Sequence, residues 1–310
     1  MLGRWVTVAV VGAVRSVQGV GRSQPSTTWP GLAASGAPLG NRRKGLPCYR
    51  DLVEASLLTS PRTENGAPVV GAPVVGAPVV GFEARWLGRV DYDVAHTLQK
   101  RLVNDRAAGA IPDQLLLLEH PPVLTLGRNS DPAHILAAPE ELAARGIGIH
   151  RVERGGEVTY HGPGQLVAYP IVAIAARGLL LRPLVRALEA ALVATCAAFG
   201  VEAARRDGHP GCWCDPDGPA PRKIGALGLR VERGVTYHGI ALNVSVNLAD
   251  FELIDPCGMP GVVSTSIERE LAGRDGMPPP PTTASVERAA RALAPAFASA
   301  IGAPLTWPEA

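Results

Sequence analysis

The chain is poor in lysine, in aromatic residues and in net charge. Three of its 310 residues are lysine against 27 arginines, aromatic side chains make up 5%, and the formal net charge is +2. Residues 1–50 carry seven Lys or Arg and no Asp or Glu, which leaves residues 51–310 with a net charge of −5. Nucleic-acid binding needs a basic face, so this mildly acidic remainder argues against a nucleic-acid partner.

Cysteine is also scarce, and no apolar run is long. Five cysteines at irregular spacings, an odd number, do not form a disulfide framework, and they fit a reducing compartment. The apolar stretch at residues 5–14 is too short to span a bilayer as a helix, so we expect no membrane partner. Its basic, acid-free surroundings resemble a secretory signal or an organellar transit peptide, and a dispensable extension is the third interpretation.

A proline-rich repeat follows this basic segment. Three copies of Gly-Ala-Pro-Val-Val occupy residues 66–80. One proline in every five residues disfavours both helix and sheet, which indicates a polyproline-like spacer or a disordered linker. The sequence therefore predicts a basic, Pro/Gly-rich and disordered extension over residues 1–81, followed by one catalytic domain over residues 82–310.

From residue 82 onward the apolar pattern alternates between strand and helix periods. Strands are predicted at 82–90, 114–120, 123–127, 148–153, 211–214, 223–231 and 235–247, and helices at 91–109, 139–145, 179–200 and 282–302. Strands occur in consecutive runs as well as between helices. This order favours an α+β or mixed-sheet α/β domain over a doubly wound one.

The segment Arg-Gly-Gly-Glu-Val-Thr-Tyr-His-Gly-Pro-Gly-Gln-Leu-Val-Ala-Tyr-Pro-Ile, residues 154–171, concentrates glycine and proline beside polar side chains. Glycine permits positive φ and close approach of the backbone to another group. Proline makes turns rigid and removes amide donors. These features predict the floor of a binding site, and an ordinary Gly/Pro-rich hairpin loop is the alternative.

Two residues stand out as chemically reactive. Cys257 lies in Asp-Pro-Cys-Gly-Met-Pro-Gly, a turn-forming context in which a thiol is accessible to solvent and to a cation that lowers its pKa. Lys223 opens an apolar strand, Lys-Ile-Gly-Ala-Leu-Gly-Leu-Arg-Val, where a partly desolvated lysine can act as a base. The structural alternatives are an inert loop cysteine and a lysine whose stem lies along the end of the strand.

The remaining candidates carry weaker signals. His161 and His238 stand in similar phrases, Thr-Tyr-His-Gly, and either could carry a proton or be a hydrogen-bonded core residue. Cys212 and Cys214, with His209, could bind a metal, but a fourth ligand is missing nearby and a core position is favoured. Cys196 lies on the apolar face of a helix, and Cys48 lies in the extension.

Four motifs in this order resemble those of the lipoyl(octanoyl) transferase family: residues 154–171, the strand opened by Lys223, Tyr-His-Gly-Ile-Ala-Leu-Asn-Val and Asp-Pro-Cys-Gly. The similarity covers residues 82–275. It implies the fold of the lipoate and biotin protein ligase catalytic domains. It also implies transfer of octanoyl from octanoyl-acyl-carrier-protein to a lysine of lipoyl domains, those of 2-oxoacid dehydrogenase complexes and of the glycine cleavage H protein.

The resemblance also implies roles for individual residues. Cys257 is the expected acyl-thioester nucleophile, and Lys223 is expected to lower its pKa and then to act as general base. The acyl chain is expected against three groups of residues: Arg154, Gly155, Gly156, Glu157, Val158, Thr159, Tyr160 and His161; Ala226, Leu227 and Gly228; Gly239, Ile240 and Ala241. Neither a cofactor nor a metal is expected.

Two other functions remain open. An ATP-dependent lipoate–protein ligase of the same superfamily would need no acyl-cysteine, and a silent acyl- or lipoyl-domain-binding protein would need neither Cys257 nor Lys223. Substrates of this kind predict a cytoplasmic location, or the mitochondrial matrix if the basic N-terminus is a transit peptide.

Overall fold

The computed structural model describes residues 81–255, 262–272 and 282–308. The strands are β1 Phe82–Arg89, β2 Asp113–Glu119, β3 Val123–Leu126, β4 Gly148–Arg151, β5 Val158–His161, β6 Gln165–Ile171, β7 Ala204–Arg206, β8 His209–Cys214, β9 Arg222–Glu232, β10 Val235–Asn243, β11 Val263–Ser264 and β12 Leu305–Thr306. The α-helices are α1 Tyr92–Ala107, α2 Pro139–Ala144, α3 Leu181–Ala198, α4 Ile267–Ala272 and α5 Thr282–Ala300.

The central sheet has the order β12-β1-β2-β6-β10-β9-β8-β7, and β11 adds a second partner to β9. The pairs β12–β1, β1–β2 and β9–β11 are parallel, whereas those joining β2, β6, β10, β9, β8 and β7 are antiparallel. The mixed-sheet α/β class predicted from the sequence is therefore confirmed. A second sheet, β4-β3-β5, lies apart from the first.

Helices cover both faces of the central sheet. Leu115 and Leu117 of β2 pack with α3 and α5 on one face, whereas Leu116 and Leu118 pack with α1 on the other. All four are fully buried, which explains why β2 has a continuous apolar run instead of alternating polarity. None of the helices in the described ranges is long and apolar enough to cross a membrane.

Helix ends follow the predicted signals in part. Gly200 has φ +79° just after α3, and its N–H donates to the carbonyl of Ala197, as expected of a glycine that ends a helix. Asp91 precedes α1 in the N-cap position, but its side chain makes no capping hydrogen bond. The predicted strand 235–247 ends earlier, at Asn243, before a bend and a short 3₁₀ helix at Leu248–Leu253.

The Gly/Pro-rich segment is not a hairpin. β5 pairs antiparallel with β3 of the small sheet, whereas β6 pairs with β2 and β10 of the large one. The turn between β5 and β6 thus carries the chain from one sheet to the other. The hairpin alternative is wrong, because the two strands that flank the turn have different partners.

Three predictions fall on residues that the structure does not describe. Residues 1–80, which include nearly all of the predicted extension and Cys48, lie outside the described ranges. So does Cys257, within residues 256–261. The predicted extension and the role of Cys257 stay predictions.

Candidate functional site

A cavity lies on the α1 side of the central sheet, over β9 and β10, next to the loop that precedes β5. Four groups of neighbours line it: Tyr92 of α1, residues of that loop and of β5, residues of β6, and the glycine-containing parts of β9 and β10. The lining comprises Tyr92, Arg154, Gly156, Glu157, Val158, Thr159, His161, Val167, Tyr169, Lys223, Ala226, Leu227, Gly228, His238, Gly239, Ile240 and Ala241. The structure therefore brings together residues from all three predicted binding groups and Lys223.

Gly155 and Tyr160 belong to the predicted set but do not line the cavity. The amide of Gly155 donates to the carbonyl of Leu229 at 3.1 Å, which ties the loop to β9. The hydroxyl of Tyr160 points the other way and donates to Asp250 Oδ2 at 2.8 Å. Both residues therefore support the cavity wall without lining the cavity.

Arg154 holds the loop that lies over the sheet. Its Nη2 donates to the carbonyl of Thr125 at 2.6 Å, its Nε to Thr125 Oγ1 at 3.1 Å, and its Nη1 to the carbonyl of Gly155 at 3.1 Å. The residue is 8% exposed. A buried guanidinium needs such partners, so Arg154 fixes the loop to the end of β3.

Two paired glycines let this loop and a neighbouring strand come close. Gly228 and Gly239 face each other across β9 and β10. A Cβ at Gly228 would lie 2.9 Å from the carbonyl oxygen of Gly155. A Cβ at Gly239 would overlap the carbonyl oxygen of Ala168. Glycine at both positions leaves a flat floor of backbone under the cavity.

A chain of buried hydrogen bonds fixes the turn between the sheets. His161 Nδ1 donates to Gln165 Oε1 at 2.7 Å, and Gln165 Nε2 donates to Asn243 Oδ1 at 2.8 Å. Asn243 Nδ2 donates to the carbonyl of Thr265 at 2.9 Å. The amide of Gly164, whose φ is +85°, donates to Glu119 Oε2 at 2.7 Å. These hydrogen bonds show that the turn His161-Gly-Pro-Gly-Gln165 has a structural role.

The histidines around the cavity are neutral at physiological pH. Burial lowers the pKa of His120 to about 4, and that of His161 and His238 to about 3. His120 Nδ1 donates to the carbonyl of Val90 at 2.7 Å, so its Nε2 accepts the hydroxyl of Tyr169 at 2.8 Å. Burial also raises the pKa of Tyr169. These histidine and tyrosine side chains of the wall are uncharged, which suits an aliphatic ligand.

Lys223 stands at the opposite end, where it lines both the main cavity and a smaller neighbour. Its ammonium lies 5.2 Å from the centre of the Trp213 ring, a cation–π contact. Trp213 is 1% exposed, pairs with Lys223 across β8 and β9, and donates from Nε1 to the carbonyl of His209 at 3.0 Å. A Cβ at Gly211 would lie 3.2 Å from Lys223 Cε, so a glycine leaves room for the lysine stem.

The described residues that follow segment 256–261 lie near Lys223. Ser264 pairs with Lys223 through β11 and β9, and the amide of Thr265 donates to the carbonyl of Lys223 at 3.0 Å. Val262 lines the smaller cavity together with Lys223. The chain that follows the undescribed segment is thus held against the lysine.

The cysteines within the described ranges are core residues. Cys196, Cys212 and Cys214 pack in the hydrophobic core between the sheet and α3, each at most 1% exposed. Hydrogen bonding to Cys212 and burial raise the pKa of the Cys196 thiol. The core interpretation of these three residues is confirmed. His209 instead contacts the Trp213 ring edge-on.

Sequence reasoning missed Tyr92, Val167, Tyr169 and Trp213, and it left the role of His238 open. Tyr169 lies in the glycine-rich segment itself, and Trp213 alternates with the two buried cysteines, so both positions carried a usable signal. Tyr92 carried none, because only the packing of α1 brings it to the cavity.

Comparison with known proteins shows which family the chain is similar to. A family model described as the lipoyl protein ligase A/B catalytic domain matches residues 91–298. An octanoyltransferase of Acidobacterium capsulatum is 45% identical over 231 residues, which cover 72% of this chain and 91% of that protein. An octanoyltransferase of Chloroflexus aggregans is 48% identical over 185 residues, 59% of this chain and 82% of that one. Among solved structures, a lipoate-protein ligase A bound with ATP is 16% identical, with a TM-score of 0.48 over 74% of this chain and 88% of that one.

Proposed function

Since this chain belongs to the lipoyl protein ligase A/B catalytic-domain family and, within it, to the octanoyltransferases, we propose that it is an acyltransferase that moves an octanoyl group onto a lysine of lipoyl domains. The observation that carries the proposal is a single cavity with two unlike ends. One end is walled by neutral aromatic and histidine side chains, and the other holds Lys223.

The acyl chain would lie over the backbone floor of β9 and β10. Ala226 and Gly228 of β9 pair with Ala241 and Gly239 of β10, and all four line the cavity. Small residues leave room for an extended aliphatic chain, whose transfer out of water has a favourable free energy. The carbonyl would then lie towards Lys223, where the reaction takes place.

The first half-reaction needs a thiolate. The pKa of the Cys257 thiol, ordinarily about 8.5, would be lowered by the Lys223 ammonium. Its sulfur would attack the thioester of octanoyl-acyl-carrier-protein, forming a new thioester on Cys257, while the carrier thiolate leaves and takes a proton from the Lys223 ammonium, which becomes neutral. Because one thioester replaces another, this step needs no ATP.

The second half-reaction makes an amide. The amine of the target lysine would attack the Cys257 thioester, and neutral Lys223 would take its proton. The amide forms as the Cys257 thiolate leaves, and the ammonium of Lys223 stabilises that thiolate for the next cycle. Trp213 and Gly211 would confine the lysine stem, so that its ammonium stays at the reacting sulfur. We extend the proposal to lipoyl domains of 2-oxoacid dehydrogenase complexes and of the glycine cleavage H protein.

Intact-mass measurement tests the acyl-enzyme. The full chain is incubated with octanoyl-acyl-carrier-protein without ATP, and we expect one octanoyl group, released by hydroxylamine. Cys257→Ser should abolish the adduct, and Cys48→Ser is the matched control that should keep it. An adduct that persists in Cys257→Ser, or its absence in folded wild-type protein, would contradict the thioester route; transfer only with ATP would indicate a ligase instead.

The lysine has its own control. Lys223→Met should slow transfer by about 100-fold or more, the range of a general base. Lys100→Met should leave transfer nearly unchanged, because Lys100 on α1 bonds Glu232 at 2.6 Å and does not line the cavity. Equal losses in the two variants would overturn the assignment of Lys223.

A further inference from the structure

Three side chains from distant parts of the chain converge beside the aromatic end of the cavity. They are His96 of α1, Glu153 of the loop before β5, and His238 of β10. Glu153 Oε2 lies 3.2 Å from His96 Nε2 and 3.7 Å from His238 Nε2, and the three atoms lie within 4.8 Å of one another. Within the described ranges, this is the one group of at least three His, Cys, Asp or Glu side chains that is close enough to share a cation.

Each of the two imidazoles has a ring nitrogen near the Glu153 carboxylate that makes no hydrogen bond. Nε2 of His96 and Nε2 of His238 are buried and have no hydrogen-bond partner. The Glu153 oxygen lies near both but forms a hydrogen bond with neither. A buried polar atom without a partner costs stability, and native proteins rarely leave two facing each other. A ligand between them would satisfy both.

The backbone holds His238 in this position at a cost. Its φ is +54°, in the left-handed region that side chains other than glycine seldom occupy. As a result its ring stacks on that of the preceding Tyr237, 4.7 Å away, instead of turning to the opposite face of the sheet. The ring also lies parallel to that of His96 at 5.5 Å. The two imidazoles are thus stacked, with their Nε2 atoms close together.

We propose that His96, Glu153 and His238 bind one divalent metal ion of the zinc class. Two imidazole nitrogens and one carboxylate oxygen form a donor set that suits Zn²⁺, Co²⁺ and Ni²⁺ better than Mg²⁺ or Ca²⁺, which prefer oxygen. Glu153 is half exposed, so an ion can enter from solvent.

The surrounding charges are mixed. The positive charge of Arg154, on the same loop, opposes a metal ion, whereas the Glu153 carboxylate favours one. The Arg154 guanidinium is turned away to Thr125. The balance indicates a weaker site than a closed structural zinc centre with four protein ligands.

This site differs from the transferring centre. His238 pairs with Leu229, six residues along β9 from Lys223, a distance of about 20 Å at the usual strand rise. An ion here would instead join α1 to β10 in the cavity wall, at the end away from Lys223. Its expected effect is stabilisation of that wall, and the inference holds whether or not the chain transfers octanoyl groups.

Metal titration of the full chain tests the proposal. The protein is stripped with EDTA and titrated with Co²⁺ and Zn²⁺ by calorimetry and by the visible absorption of bound Co²⁺. We expect one site per chain, and a rise in the thermal unfolding midpoint on binding. His96→Gln and Glu153→Gln should each weaken binding by at least about tenfold, because even indirect partners of a metal contribute that much.

His209→Gln is the matched control, since it changes a histidine outside the cluster and should leave the affinity unchanged. Far-ultraviolet circular dichroism checks that each variant folds, and Glu153→Gln is the safest variant because its side chain is half exposed. Binding that survives both His96→Gln and Glu153→Gln, through cysteines or other histidines, would overturn the proposal, and so would a wild-type chain that binds neither ion.

Discussion

The tetrapeptide Thr-Tyr-His-Gly occurs twice, at residues 159–162 and 236–239, and the structure uses the two copies differently. In the first copy the side chains alternate as in any strand: Thr159 and His161 line the cavity, and Tyr160 points away to Asp250. In the second copy Tyr237 and His238 stack on each other. Four identical residues therefore present their histidine in two different ways.

The difference comes from the backbone and from the neighbours of each copy. His238 has φ +54°, which breaks the alternation of β10 without shifting its pairing with β9. Gly162 leads into the turn between the two sheets, whereas Gly239 lies inside β10 against Ala168 of the neighbouring strand. A local sequence thus specifies residue types, and the tertiary contacts decide which face each side chain reaches.

The largest expected difference between the two copies is the loss of stability when their glycines, Gly162 and Gly239, are replaced by alanine. A Cβ at Gly239 would overlap the backbone oxygen of Ala168, and the sheet would have to part to admit it. A Cβ at Gly162 would overlap the ring and hydroxyl of Tyr160, a buried side chain that can shift only by weakening its hydrogen bond to Asp250. We expect Gly239→Ala to lower the free energy of unfolding by about 3 kcal/mol and Gly162→Ala by about 1 kcal/mol, in urea unfolding. Equal losses would show that the two glycines meet the same constraint.

The two histidines should behave alike towards pH. Burial lowers the pKa of His161 and His238 to about 3, against 6.5 in the unfolded chain. Between these values the unfolded chain binds more protons, so each histidine makes the protein less stable as pH falls from 6.5 towards 3. Each should account for about 2 kcal/mol of the loss between pH 7 and pH 5.

Unfolding in urea at both pH values, with EDTA present, measures this dependence. His161→Gln and His238→Gln should each make the loss of stability smaller by that amount, whatever their effect at pH 7. A variant whose pH dependence equals that of the wild type would show that its histidine has the same pKa in the folded protein as in the unfolded chain.

The sequence predicted most of this fold because its apolar periods are strong. The buried run of β2, the helix ended by Gly200 and the two cysteines on one face of β8 follow from local pattern alone. Gly228 and Gly239 were expected at the site from the resemblance to a family, and the structure places both at close approaches of the backbone. Tyr92 and the orientation of His238 were not predicted, because one depends on helix packing and the other on a positive φ that no residue type required.

The two threonines should differ by a smaller amount. Thr236 is fully buried, and its hydroxyl donates to the carbonyl of Pro170 at 2.6 Å and accepts the amide of Val172 at 3.0 Å. Thr236→Val removes the partner of two buried backbone groups and should cost about 1–2 kcal/mol. Thr159 is half-buried at the cavity, and Thr159→Val should change stability by less than about 0.5 kcal/mol. Urea unfolding at pH 7 measures both, and a larger cost at Thr159 would reverse this ranking.

The smallest expected effect on stability depends only on the backbone conformation at the two histidines. In β5, a strand of ordinary geometry, glycine should be less stable than alanine by about 0.5–1 kcal/mol because it loses more chain entropy on folding. At position 238 the order should reverse, because alanine, unlike glycine, is strained at φ +54°. The four variants His161→Ala, His161→Gly, His238→Ala and His238→Gly, unfolded in urea with EDTA, give the two differences directly. Since each pair removes the same imidazole, lost ring contacts cancel within it, and the sign of the remaining difference reports φ alone. The same sign at both positions would mean that His238 occupies an ordinary strand conformation, and its stacking on Tyr237 would then need another cause.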